Sequence, residues 1–463
     1  MLSVPGLAYK VFACPTRVPL TTTIHFSEIS TMTQPHTTSE TPLPKPILVI
    51  GIDWADKAHA VCCIDPLRPR KTHLATLEQR PQAIVEWAAS LRQQYPQHEL
   101  AVCLEQSRGA LFSALLATGH FTLYPLNPKQ LARFREALHP TGRKSDPDDA
   151  ELLARFLLQH RDKLRPARPD SEQTRLLVHL TELRRNLVEQ RKSLALQLNS
   201  TLKLYFPLIL ELFPGKLDHP LVTKLLQRWS SLAELRRANP VTLKAFWKEH
   251  GLRNDERRTE LITSIRTATP LTTDRAIVES YASYAVALAV QLEHLVQSIE
   301  RFDAQIEAVV AVHEDTPLFR SLPGAGDVLV PRLIAAFGSD RERYESAEQV
   351  QNYSGIAPVT QTSGKMHHVQ RRRACPKFLR QTFHEFADHS RHWSRWAKAW
   401  YDSKRAGGMK HQATVRALAY KWIRIIFQMW KKRETYSEER YLQALTKANS
   451  PIAQICKNSQ IGA

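Results

Sequence analysis

The chain has 463 residues, more than one hydrophobic core usually organises, so two or three domains are expected. Lys and Arg number 64 against 45 Asp and Glu, and the resulting charge of +19 points to a polyanionic partner, nucleic acid above all. Apolar runs such as Ile47–Ile52 fall far short of the roughly 20 residues that span a bilayer, so nothing resembles a membrane anchor. The six cysteines (Cys14, Cys62, Cys63, Cys103, Cys375 and Cys456) form no C-x-x-C pair, which argues against a zinc site or a disulfide frame and for buried thiols in a reducing cytoplasm.

Residues 1–45 hold only Glu28 and Glu40 as acids among many Thr, Ser and Pro, the composition of a disordered leader, with Met32 as an alternative start. Order begins at Ile47. The run Ile47–Asp53 is apolar and ends in an acid, as a buried central strand does. Strands over His59–Asp65 and Lys71–Thr76 complete a meander, and Gln82–Tyr95 has helical periodicity. Leu100–Glu105 is a second buried strand ending in an acid; a helix over Gly109–Thr118, a strand over Phe121–Leu126 and a helix over Gln130–Ala137 follow. A meander followed by alternating strands and helices makes residues 46–165 an α/β domain.

Residues 170–315 read as helical. Leu176, Leu180, Leu183, Leu187, Leu194 and Leu198 recur along one segment, and Leu288, Leu292, Leu295, Ile299, Phe302, Ile306 and Val309 along another. Steps of four and three are a heptad seam, satisfied either by two helices of one chain or by a coiled coil between chains. Between them, residues 207–275 form a helical insertion without a motif.

A mostly α-helical domain, residues 316–445, precedes a tail over 446–463. The domain starts with Leu322-Pro323-Gly324-Ala325-Gly326, a turn like that of a helix-hairpin-helix, whose glycines allow backbone amides to approach a phosphate. Between Ser363 and Arg433 there are 18 Lys and Arg against three acids, together with five of the nine tryptophans. Cations interleaved with aromatics suit phosphate contact and base stacking; for Trp393, Trp396 and Trp400, helical spacing favours a core stripe instead.

Four carboxylates stand out by placement. Asp53 and Glu105 end strands, and Asp146 and Asp149 open a helix on one face, beside Lys144. Gathered at one sheet edge, four acids repel unless a cation neutralises them, and oxygen-only ligation suits Mg2+ or Mn2+. Paired ions of this kind activate the attacking oxygen and stabilise the leaving oxygen at a phosphodiester. Each acid also has a plainer role: Asp146 or Asp148 as a helix cap, Asp53 as a turn residue, Glu105 as a partner of Arg108.

Together the motifs Gly51-Ile52-Asp53, Leu104-Glu105, Lys144-Ser145-Asp146 through Asp149-Ala150, Leu322–Gly326, Tyr353 through Pro358, Ser363-Gly364, Arg373, Leu379-Arg380 and Tyr436 resemble, in order, the DEDD insertion-sequence transposases of the IS one-ten family. The resemblance covers residues 47–202 and 318–445. It implies a ribonuclease-H-like, RuvC-like front domain holding Mg2+ through Asp53, Glu105, Asp146 and Asp149. Behind it would lie a DNA- and RNA-binding domain with a nucleophilic serine, mapped to Ser363, which forms a phosphoserine link to DNA. It further implies donor and target DNA, a structured non-coding guide RNA whose base pairing sets sequence choice, and a partner subunit whose acids complete the serine centre; the heptad helices are expected to join the chains as a homodimer or homotetramer. Lys144, Gly324, Gly326, Lys365, Arg371, Arg372, Arg373 and Arg380 would contact nucleic acid, in a bacterial cytoplasm close to the nucleoid. The family's Gly-Asn before its Leu-Arg pair is missing here, where Cys375-Pro376 stands nearby, which puts the local turn in question, and Ser354 competes with Ser363 as nucleophile. The alternative functions are a carboxylate-only nuclease or junction resolvase, and a non-catalytic nucleic-acid binder.

Overall fold

The computed structural model describes residues 46–105, 108–138, 145–363 and 366–461. They fall into two units divided between Ala167 and Arg168. The expected leader, Lys144 and Lys365 lie outside the described residues.

In the first unit, strands β1 (Ile47–Asp53), β2 (Ala58–Ile64), β3 (Thr72–Glu78), β4 (Glu99–Leu104) and β5 (Phe121–Pro125) form one sheet in the order β3-β2-β1-β4-β5. The β3-β2-β1 half is antiparallel, whereas β1, β4 and β5 run parallel. Helices α1 (Pro81–Gln94), α2 (Ala110–Ala117), α3 (Pro128–Leu138) and α4 (Asp146–His160) cover it. Strand parity assigns the faces. Leu48, Ile50 and Ile52 of β1 and Leu100, Val102 and Leu104 of β4 share a core with residues of α1 and α2. Val49 of β1, with Ala101 and Cys103 of β4, packs against Ala150, Leu153, Ala154 and Leu157 of α4.

Gly51 makes the second arrangement possible. A Cβ there would collide with the carbonyl oxygen of Ala150 and stand 2.5 Å from the amide nitrogen of Ala154, so α4 rests directly on the β1 backbone. The start of α4 is fixed by Ser145, whose hydroxyl accepts from the Asp148 amide at 3.3 Å, with Pro147 and three acids in the first turn. The cap is therefore Ser145 and not Asp146 or Asp148.

The second unit is helical. Its spine is an antiparallel pair, α5 (Glu172–Tyr205) and α11 (Arg275–Val312). The direction follows from Leu177 and Leu180 sharing a core with Ile306 and Val310, while Leu198 and Leu202 share another with Leu288 and Leu292. The α11 seam is thus covered by a helix of the same chain. On α5 the buried stripe is Leu177, Leu180, Thr181, Val188, Leu198 and Leu202; Leu176 and Leu183 face out. The heptad count drifted one position there because Thr174 and Thr181 occupy inward positions where an apolar count sees gaps.

Residues 207–275, without a motif in sequence, fold into α6 (Leu208–Leu212), α7 (Pro220–Arg228), α8 (Leu232–Arg237), α9 (Pro240–Glu249) and α10 (Asp255–Thr267). Their core is built around Phe206, Trp229, Phe246 and Trp247.

Beyond α11 come α12 (Thr316–Arg320), α13 (Gly326–Phe337) and α14 (Ala347–Tyr353), then a hairpin of β6 (Val359–Ser363) and β7 (Met366–Gln370). The chain closes with α15 (Lys377–Ser390), α16 (Arg395–Ala406), α17 (His411–Lys432), α18 (Glu438–Lys447) and α19 (Pro451–Ile461). Trp396, Trp422 and Trp430 are fully buried here and Trp400 nearly so. Trp393 departs from the expected stripe: it precedes α16 and is 72% exposed. The tail is not an appendage, since Ile452 of α19 joins this core. No described helix is long and apolar enough to cross a membrane.

Candidate functional site

The acids of the first unit are placed by the sheet. Asp53 is the last residue of β1 and belongs by parity with Val49 and Gly51, on the face that α4 covers. The parallel ladder pairs Ile52 with Leu104, so Glu105 follows β4 directly beside the end of β1. Adjacent strands run about 4.8 Å apart. Glu105 also continues the parity of Ala101 and Cys103, and its charge helps to raise the Cys103 thiol. Both acids are half-buried. They stand at the carboxyl ends of neighbouring parallel strands, the edge where open α/β sheets place their ligands.

The helical acids reach that edge because of Gly51. Ala150 lies against it, two residues before Asp53, so the first turn of α4 is held close to the strand ends. Asp146 is exposed in that turn, and Asp149, one turn on, is buried at 3%. Asp149 is occupied: Arg135 of α3 donates to its Oδ1 from Nε at 2.9 Å and from Nη2 at 2.5 Å. Among the described residues, no three His, Cys, Asp or Glu side chains come close enough together to hold a metal ion. The donors are all oxygen, which suits Mg2+ or Mn2+, and the backbone directs them to one edge, but a guanidinium holds one of the four.

The cysteines are no rival ligands. Burial first, with Glu151 next, pushes the Cys62 thiol up to about 12, and burial, with Glu105, pushes Cys103 to about 12. Burial alone raises Cys63 to about 11. Burial thus disfavours the thiolate, the form that binds a metal, at all three.

In the second unit, Ser363 ends β6 in register with Met366 of β7, at the end of a two-stranded hairpin. Its competitor Ser354 is fully buried and donates to the Gln351 carbonyl oxygen at 3.3 Å, which removes it as a nucleophile. Gly324, in the turn after α12, and Gly326, the first residue of α13, have φ of 74° and 55°, left-handed values that explain glycine at both. Pro376 stands at the N-cap of α15, so Cys375-Pro376 lies where that helix begins, without a side-chain cap.

The basic segment after β7 meets the helices. Arg371 and Arg373 are exposed, while Arg372 is half-buried and donates to Asn352 Oδ1 at 2.9 Å. Arg380 of α15 donates to Cys375 Sγ at 3.4 Å. Arg416 of α17 joins them: burial, then the charges of Arg371 and Arg380, lowers its pKa from the usual guanidinium value. Among the described residues, Arg371, Arg380 and Arg416 have no ion pair to an acid. Guanidinium groups near one another without a carboxylate partner have the chemistry to hold phosphate oxygens. Sequence reasoning missed Arg135 and Arg416. Each is one basic residue on an amphipathic helix, and only packing against another element reveals its partner.

Residues 50–207 match the family model of the DEDD transposases of IS110, and residues 316–402 match that of the IS116/IS110/IS902 transposase family. A Streptomyces coelicolor protein named as the mini-circle transposase for IS117 is 28% identical over 86% of this chain and 97% of its own length. An IS900 insertion-element protein of Mycobacterium paratuberculosis is 26% identical over 73% of this chain and 83% of its own. The solved complex of T. thermophilus RuvC with a Holliday junction substrate shares 17% identity, covering 26% of this chain and 99% of that chain, at a TM-score of 0.20.

Proposed function

Since this chain belongs to the IS110 family of transposases, enzymes that cut and rejoin DNA, we propose that it does so with two centres: a divalent-metal carboxylate site at the β1/β4 edge and a nucleophilic serine at Ser363. The observation that carries the first is the placement of Asp53 and Glu105 on neighbouring parallel strand ends, on the face covered by α4. Asp53 and Glu105 would anchor Mg2+ or Mn2+, Asp146 is at hand in the first turn of α4, and Asp149 completes the set once Arg135 releases it. When bound, the ion would supply Lewis-acid stabilisation of charge on the phosphate oxygens.

The serine centre follows the family resemblance. Ser363 Oγ attacks the phosphorus of a DNA phosphodiester; an Oγ–P bond forms as the bond to one strand's oxygen breaks. The hydroxyl proton passes to solvent, and the departing oxygen takes one up. A strand hydroxyl then attacks the phosphoserine and restores the serine, so rejoining needs no external energy source. Arg371, Arg380 and Arg416, with Arg372 and Arg373 beside them, bind phosphates without reading bases. That fits sequence choice by a structured guide RNA from the element, which pairs with donor and target DNA. We further propose a dimer or tetramer in which the acids of one copy serve the serine of another.

The test combines the full-length protein, RNA transcribed from the element's non-coding end, donor and target plasmids and Mg2+. Sequenced junctions and a DNA adduct at Ser363 in denaturing gels are expected, both lost on Ser363→Ala, with junctions lost on Asp53→Ala. Cleavage that survives Ser363→Ala undiminished would make the protein a carboxylate-only nuclease.

A further inference from the structure

Trp393 stands apart from the other tryptophans of its unit. It is 72% exposed, whereas Trp396, Trp422 and Trp430 are fully buried and Trp400 is 6% exposed. An exposed indole keeps a large planar apolar face free to make a contact.

This indole is not on a loose loop. It lies between α15 and α16 in a corner closed by hydrogen bonds from the amides of Trp393 and Ser394 to the Ser390 carbonyl oxygen, at 3.1 and 2.8 Å. Ser390 is itself buried, and its hydroxyl accepts from Trp422 Nε1 at 2.7 Å. Ser394 caps α16. The other support is Gly324, in the turn before α13. A Cβ on Gly324 would stand 2.7 Å from Trp393 Cδ1 and 3.3 Å from the His389 carbonyl, so the absence of a side chain there lets the ring lie against the turn.

We propose that Trp393, seated on the Gly324 turn, is a stacking platform for an unpaired base of a nucleic-acid strand. A planar indole offers a π face that any base can use, and single strands are the substrates whose bases are free to be splayed onto aromatic rings. Arg395 is exposed two residues on, in a stretch of sequence with 18 Lys and Arg against three acids, and Glu438 is held on the α16 side, accepting from the Ser394 hydroxyl and the Trp396 amide, both at 3.2 Å. The excess of cations in that stretch favours a phosphate-bearing strand. One exposed ring is also a poor match for a protein partner, which needs on the order of 1,000 Å² of complementary surface. The amides opening α13 are left out of the proposal, because Asp327 stands exposed in that first turn and would oppose an anion. The inference rests on the nucleic-acid reading of the second unit and adds to it the site where strandedness is sensed.

The test uses full-length protein in anisotropy titrations with a labelled single-stranded DNA, an RNA of the same sequence and the corresponding DNA duplex. Trp393→Ala should weaken binding of the single strands about tenfold and leave the duplex within about twofold, while Trp393→Phe retains most of the single-strand affinity. Gly324→Ala should imitate Trp393→Ala by displacing the ring. The DNA and RNA arms show which strand the platform prefers. Equal losses on single strands and duplex, or no loss on either, would overturn the platform. A change in sedimentation with single-strand affinity intact would reassign the surface to a second copy of the chain. Failure of the wild-type protein to bind any of the three would instead sink the nucleic-acid reading itself.

Discussion

Asp53 ends a central strand whose neighbours on both sides are fixed by hydrogen-bonded ladders, whereas Ser363 ends one arm of a two-stranded hairpin. The acids of the first unit are positioned by backbone: strand parity, register and one helix resting on one glycine. The cations of the second unit reach across from separate elements, the segment after β7, α15 and α17, and their positions depend on side-chain packing. The first arrangement suits chemistry, which tolerates little misplacement. The second suits grip on a polymer, where many phosphates present equivalent targets.

Three substitutions sharpen that contrast. The largest effect is expected at Arg135, whose pairing partner Asp149 has a side chain only 4% exposed. Breaking a buried ion pair from one side costs about 3–5 kcal/mol, so Arg135→Gln should lower Tm markedly in EDTA. If Asp149 belongs to the metal set, Mg2+ should recover much of the loss, because an ion bound only by the folded state stabilises it. A loss that Mg2+ leaves untouched would make the Arg135 bridge purely structural.

Next is Gly51→Ala. The added methyl meets backbone atoms of α4, which cannot step aside as a side chain could. Overpacking of this kind costs about 1–3 kcal/mol, measurable as a lower urea midpoint, and should reduce strand transfer as the first turn of α4 is pushed away from β1. Nucleic-acid affinity, which belongs to the other unit, should hold. Equal loss of activity and affinity would contradict the division of labour.

Arg416→Gln should have the smallest effect. Removing one phosphate contact should weaken binding similarly across sequences and flatten the dependence of log affinity on log salt by about 0.9. A sequence-selective loss would mean that Arg416 reads bases.

The first unit was legible because its signals are local. Apolar strands running into Asp53 and Glu105, and the acids that open α4, announce elements directly, although the cap that sequence offers at Asp146 or Asp148 is Ser145. All five strands and the first three helices fall within a few residues of where periodicity put them. Sequence did not reveal what Asp149 touches, because Arg135 lies on a separate helix and an arginine there reads equally as surface charge. In the second unit the β6–β7 hairpin escaped notice because its residues, Val359–Ser363 and Met366–Gln370, lack a clear apolar alternation. The insertion carried no motif because its information is volume: Trp247, Phe206 and Phe246 fill a core without a charged or glycine signature. Trp393 was misread because its spacing to Trp396 fits a helix, but the helix begins at Arg395.

The claim on which the catalytic account stands is that Asp53 and Glu105 share a divalent cation. Mn2+ binding followed by electron paramagnetic resonance on the full-length protein, without nucleic acid, tests it directly. Wild-type protein should titrate the free Mn2+ signal away, and Asp53→Asn and Glu105→Gln should each raise the half-saturating concentration at least about tenfold with the fold intact by circular dichroism. Unaltered Mn2+ binding in both variants would contradict the account and leave the first unit a scaffold without a metal centre.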